Sequence, residues 1–146
     1  MRLFLYFCCN MVNLFLVKLF TIEPEVISGN GNLGIIFVFT GILLLVLFIL
    51  ELIKFMKEKR WIGKNKRLLF AIAIVVIMIS SYFEYLFVMD LVGQLGGPPD
   101  AENSRIYRYS WLNQYTNTIY LNVYTYCMVL SFVVVVYLVS RWNKIR

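Results

Sequence analysis

Three long, almost uncharged apolar runs, residues 33–55, 68–89 and 118–140, constrain this chain more than any other feature. At a helical rise of about 1.5 Å per residue, each can cross a hydrocarbon core of about 30 Å. A shorter run over 3–20 has the same character, interrupted by Asn10, Asn13 and Lys18. The sequence therefore predicts an all-α integral membrane protein, a bundle of four transmembrane helices near 3–20, 33–55, 68–91 and 116–141. These form a single domain over 1–146, with a basic loop at 56–67 and an outer loop at 92–115.

Composition supports one bundle with no separate soluble domain. Of the 146 residues, 61% are hydrophobic and 15% charged, against about 25% charged in soluble domains. The longest polar stretch, 93–117, is too short to bury a core of its own. Histidine is absent, which removes haem held by two histidines, histidine-ligated zinc and imidazole proton relays. Cys8, Cys9 and Cys127 fall inside apolar runs and form no Cys-x-x-Cys motif. Buried thiols are the plain reading, with acylation of Cys8 or Cys9 the alternative. No metal and no cofactor are expected.

The formal charge of +6 is placed by topology. Lys54, Lys57, Lys59, Arg60, Lys64, Lys66 and Arg67 crowd one short connection against the single acid Glu58. Such loops stay in the cytoplasm. The outer loop balances Asp100 and Glu102 against Arg105 and Arg108, and Arg141, Lys144 and Arg146 end the chain. Both termini are thus expected in the cytoplasm. Read as a cleaved signal, the first segment would leave three helices, but it is long for a signal and Lys18 is misplaced. A bacterial plasma membrane is favoured, with an organellar inner membrane as the alternative. The 54–67 loop would attract anionic lipid headgroups at about 1 kcal/mol per basic residue. With the charge so placed, no nucleic-acid partner is expected.

Glu84 is the sharpest single residue. A carboxylate in the apolar run 68–89 costs about 2.5–3.5 kcal/mol on insertion scales, so it must face protein or water. Ala73, Ile77, Ser80, Glu84 and Phe87 recur at helical steps and mark a closely packed face. The expected partners form an intramembrane polar cluster of Lys18, Glu84, Asn122 and Thr125, with Lys18–Glu84 as its ion pair and Asn10 and Asn13 nearby. Such a cluster is either interhelical glue, at about 0.6 kcal/mol per hydrogen bond, or a site that takes up and releases a proton. Gly34 and Gly41, seven apart, would share a second packing face.

In the outer loop, Tyr107, Trp111, Tyr115 and Ile119 recur at steps of four, flanked by Arg105 and Arg108. One reading is an aromatic belt leading into a long last helix. The other is a contact surface of Arg105, Tyr107, Arg108, Trp111 and Tyr115, since Tyr, Trp and Arg dominate interface hot spots. No paired acids, nucleophile with its base or metal cluster is evident, so the chain is not read as an enzyme. Its function is expected to lie in contacts with other membrane proteins or with itself, as an accessory subunit of a membrane complex or a protective, immunity-type protein. The alternative is an oligomeric proton-coupled transporter or channel with Glu84 as the protonatable group.

Overall fold

A computed structural model describes residues 1–29, 31–59, 62 and 64–141. Arg60 and Trp61 of the basic connection, with Lys144 and Arg146 of the tail, lie outside the described residues. Among the described residues six helices follow one another: α1 (Arg2–Leu19), α2 (Gly34–Glu58), α3 (Lys66–Gln94), α4 (Arg105–Tyr109), α5 (Asn117–Tyr120) and α6 (Val123–Ser140). No strand occurs among the described residues. Among the described residues four segments are long and apolar enough to cross a membrane: α1, α2, α3 and the stretch Asn117–Ser140.

The helices stop where the sequence supplies punctuation. At the end of α3, Gly96 and Gly97 take φ values of 90° and 112°. The Gly97 N–H donates to Val92 O at 3.0 Å and the Gly96 N–H to Gly93 O at 3.1 Å, a Schellman closure. Pro98 and Pro99 then prevent continuation. At the end of α1 the chain turns at Phe20, and the Thr21 hydroxyl donates to Val17 O at 2.6 Å.

Two antiparallel helix pairs result. α1 lies along α2, and α3 lies along α6, while the pairs meet chiefly where α2 touches α6 and where α5 sits against α1 and α2. Leu14, Val17, Val38, Phe48, Leu121 and Tyr126 form the core that joins them. Met56, Ile62 and Leu138 close one end, next to the basic connection. Leu91, Val92, Leu95, Ile106 and Tyr115 close the other end, where the connections that follow α1 and α3 meet and form a cap over the bundle. Only 22% of the apolar windows of α1 and α2, and 11% of those of α3 and Asn117–Ser140, is buried. Large apolar side chains stand exposed on every one of these spans, among them Phe4, Leu43, Met78 and Phe132, each more than 60% exposed, whereas soluble monomers rarely expose contiguous apolar patches beyond a few hundred Å².

The α1–α2 pair is tied by amides. The Asn10 side chain donates to Leu44 O at 3.2 Å and to Tyr6 O of its own helix at 2.8 Å. The Asn13 side chain donates to Phe37 O at 2.9 Å and accepts from the Thr40 hydroxyl at 3.1 Å. Gly41 permits this approach, because a Cβ there would fall on the Asn13 amide and on the Leu121 side chain. A Cβ at Gly34 would meet the Asn117 amide and the Phe20 carbonyl oxygen. Both glycines are buried, on the face their spacing predicts.

The expected last helix, 116–141, is two pieces. Leu121 and Asn122 are extended, with φ −146° and −139°, and separate α5 from α6. The aromatic stripe is likewise not one helical face. Ser110, at φ 67°, ends α4 after five residues, and turns carry the chain from there to α5. Periodicity misses both breaks because side chains that bond the backbone locally offer it an alternative to helix.

Candidate functional site

Asn122 is the centre of the polar group in the helix bundle. As N-cap of α6, its side-chain Oδ1 accepts from Tyr124 N–H at 2.7 Å and Thr125 N–H at 2.9 Å. The Thr125 hydroxyl returns the favour by accepting from Asn122 N–H at 2.9 Å, which completes a capping box. The Nδ2 then has two protons to place. One goes to Thr118 O at 2.8 Å and the other to Glu84 Oε2 at 2.7 Å. All four hydrogen-bonding positions of the amide are used, and a flipped amide would aim its NH₂ at two N–H donors. The orientation is therefore dictated by the network.

Glu84 is half-buried on the face of α3 that meets α6, with Ser80 buried one turn before it and the Ser81 hydroxyl 3.2 Å from Met128 Sδ. Three of the four expected cluster residues, Glu84, Asn122 and Thr125, thus come together. Lys18 does not join them. It is exposed, has no side-chain hydrogen bond or ion pair among the described residues, and forms no pair with Glu84. The reason is helix pairing: α1 packs on α2, so Lys18 belongs to a different surface from the α3–α6 seam. Asn10 and Asn13 also stay on the α1–α2 seam.

Lys18 instead lines a cleft of about 1190 Å³ between α1 and α3. That exceeds the roughly 300–1,000 Å³ usual for small-molecule pockets. Met11, Leu14 and Phe15 line it from α1 and Phe87 and Leu91 from α3, and Leu121 and Val123 also line it. Glu23, Asp90, Gln94 and Asn122 border it as well, and the Gln94 amide donates to Asp90 Oδ2 at 2.8 Å. Residues of the 20–33 connection lie over it at the capped end.

The cap is braced between the two connections that meet there. Ile22 N–H donates to Gln114 O at 2.9 Å, and the Gln114 side chain donates to Ser28 O at 2.8 Å. Val26 O accepts from the Tyr115 hydroxyl and from the Arg105 guanidinium, each at 3.1 Å. The guanidinium also lies 4.6 Å from the Tyr115 ring centroid, within cation–π range. Asn32 and Asn117 exchange amide hydrogen bonds at 3.0 and 2.7 Å. The expected contact surface is therefore split. Tyr115, 2% exposed, and Arg105 belong to the inside of the cap. Tyr107 and Trp111, 58% and 42% exposed, face outward with Arg108.

Hydropathy does not single out Gln114, Asn32 or Asn117, whose partners lie more than 80 residues away in the chain. Asn122-x-x-Thr125 carried a readable signal, an N-cap residue with a hydroxyl at N3, hidden inside an apolar run. Among the described residues, no three His, Cys, Asp or Glu side chains gather where they could hold a metal ion. Compared with known proteins, the chain matches no family model, no curated protein and no solved structure.

Proposed function

We propose that this chain is a four-span integral membrane protein that acts by contact with another membrane protein. In this reading the basic 56–67 loop and both termini face the cytoplasm of a bacterial cell, and the cap lies on the opposite side. The protein serves as an accessory subunit or a protective, immunity-type protein, with no catalytic step. The observation that carries the contact reading is the cap itself. Arg105, Gln114, Tyr115 and Asn117 are spent on internal bracing, yet the cap leaves Tyr107, Tyr109, Trp111 and Leu112 at least 41% exposed beside Arg108. Rigid, exposed aromatics next to an arginine are the residue types that anchor protein interfaces.

Proximity crosslinking in cells from a probe at the neighbouring Tyr109, 46% exposed, tests this directly. A discrete crosslinked protein that disappears on Tyr107→Ala with Trp111→Ala, while Glu84→Gln leaves it, supports the proposal. Unchanged crosslinking in the double variant refutes it. A tag at Lys64 reached from outside the cell would overturn the orientation.

Transport is the second reading, because Asn122 borders the cleft and holds the Glu84 carboxyl at 2.7 Å. Proton-driven flux in vesicles that is lost in Glu84→Gln, with folding intact, would favour an oligomeric carrier over a contact protein.

A further inference from the structure

The cleft between α1 and α3 has a gradient of polarity along the helices. Met11, Leu14 and Phe15 precede Lys18 on α1, and Phe87 precedes Asp90 and Gln94 on α3. Both helices run toward the cap, so the apolar walls lie deep and the charged groups lie near the connections. Glu23, on the connection above, adds a second carboxylate. α1 and α3 hardly touch, which leaves the gap open sideways.

We infer that this cleft holds one phospholipid with a zwitterionic, ammonium-bearing head of the phosphatidylethanolamine type, taken from the leaflet on the capped side. The inference rests on the membrane reading above. In a bilayer a gap with apolar walls that opens sideways is filled by acyl chains. The charges then select the head. Lys18 has no partner among the described residues and is available to a phosphate. Glu23 and Asp90 would repel a purely anionic head but accept hydrogen bonds from an ammonium. A head with one phosphate and one ammonium answers all three side chains with charge, whereas a glycerol-phosphate head pairs its phosphate with Lys18 and offers the two carboxylates only neutral hydroxyl donors, which bond them less strongly than an ammonium. A spanning helix from a second copy fits less well, because it would run into the 20–33 connection that covers the cleft.

The test uses the full chain reconstituted in nanodiscs of equal phosphatidylethanolamine and phosphatidylglycerol, followed by native mass spectrometry. One phosphatidylethanolamine per chain should survive activation that strips the remaining lipid. Lys18→Ala with Asp90→Asn should lower that occupancy by at least about tenfold, near the low end of the loss expected for a single hydrogen bond to a charged group. Asp100→Asn, in an exposed turn, should leave it unchanged. On the unaltered protein, a phosphatidylethanolamine with a diazirine in its acyl chain should mark Phe15, Phe87 and Val123. Equal retention of phosphatidylglycerol, no retained lipid, a second chain in the gap, or label spread evenly over the helices would each overturn the inference. All four outcomes leave the membrane reading standing. That reading fails separately if the chain does not enter the nanodisc.

Discussion

Replacing Asn122 with alanine removes two things at once: the N-cap of α6 and the donor to Glu84. Loss of an Asn cap costs about 1 kcal/mol, within a range of about 0.5–2. Loss of one interhelical hydrogen bond in an apolar setting adds about 0.6 kcal/mol, and about 1.7 at most. Since the amide uses all four of its positions in the structure, both losses apply. Asn122→Ala should therefore cost about 1.6 kcal/mol. Asn122→Ser keeps a capping oxygen and should lose only the smaller part. Asn122→Asp keeps the cap but puts a second carboxyl where a donor now sits 2.7 Å from Glu84 Oε2. It should be at least as damaging as alanine, and Glu84→Gln in the same chain should restore it by supplying a donor. Unfolding free energies from steric trapping in bicelles measure all of these. If Asn122→Asp matches the unaltered protein, or Glu84→Gln fails to rescue it, the Glu84–Asn122 bond does not hold α3 to α6.

Gly41→Ala should loosen the α1–α2 pair by about 1–3 kcal/mol, the usual cost of overpacking, since the new methyl falls on the Asn13 amide and Leu121. Thermal unfolding in detergent checks it, and an unchanged midpoint would mean the helices can shift at no cost. Tyr115→Phe removes the hydroxyl that donates to Val26 O. It should cost about 1 kcal/mol and raise hydrogen exchange at the cap while leaving α3 and α6 protected. Tyr126→Phe should act in the opposite sense. The Tyr126 hydroxyl is buried without a hydrogen-bond partner among the described residues, so its removal should be neutral or stabilising by up to about 1–3 kcal/mol. A clear loss of stability would show that the hydroxyl has a partner, such as a second copy of the chain.

Much of the bundle was legible because it depends on local chemistry. Leu33 to Phe55 is apolar over a length that only a helix of spanning size explains, and α2 forms there. Gly34 and Gly41 announce a close approach by their spacing, and a helix and a short helical turn do pack on them. Glu84 is too costly to leave unpartnered in such a helix, and it has a donor. The breaks at Ser110 and Asn122 were not legible from hydropathy, because both interrupt segments whose apolar or aromatic spacing continues through them.

The amino-acid order by itself determined where the first three long helices lie, that four segments are long and apolar enough to cross a bilayer, and that one connection concentrates basic charge. Those properties follow from the transfer cost and backbone preference of each residue, which need no knowledge of its distant neighbours. Only the tertiary structure decided that Glu84 meets Asn122 while Lys18 lines a cleft, and that Tyr115 and Arg105 brace the cap while Tyr107 and Trp111 face out. Such pairings depend on how each helix is rotated and which helix it lies against. That is settled by packing and loop contacts between residues far apart in the chain.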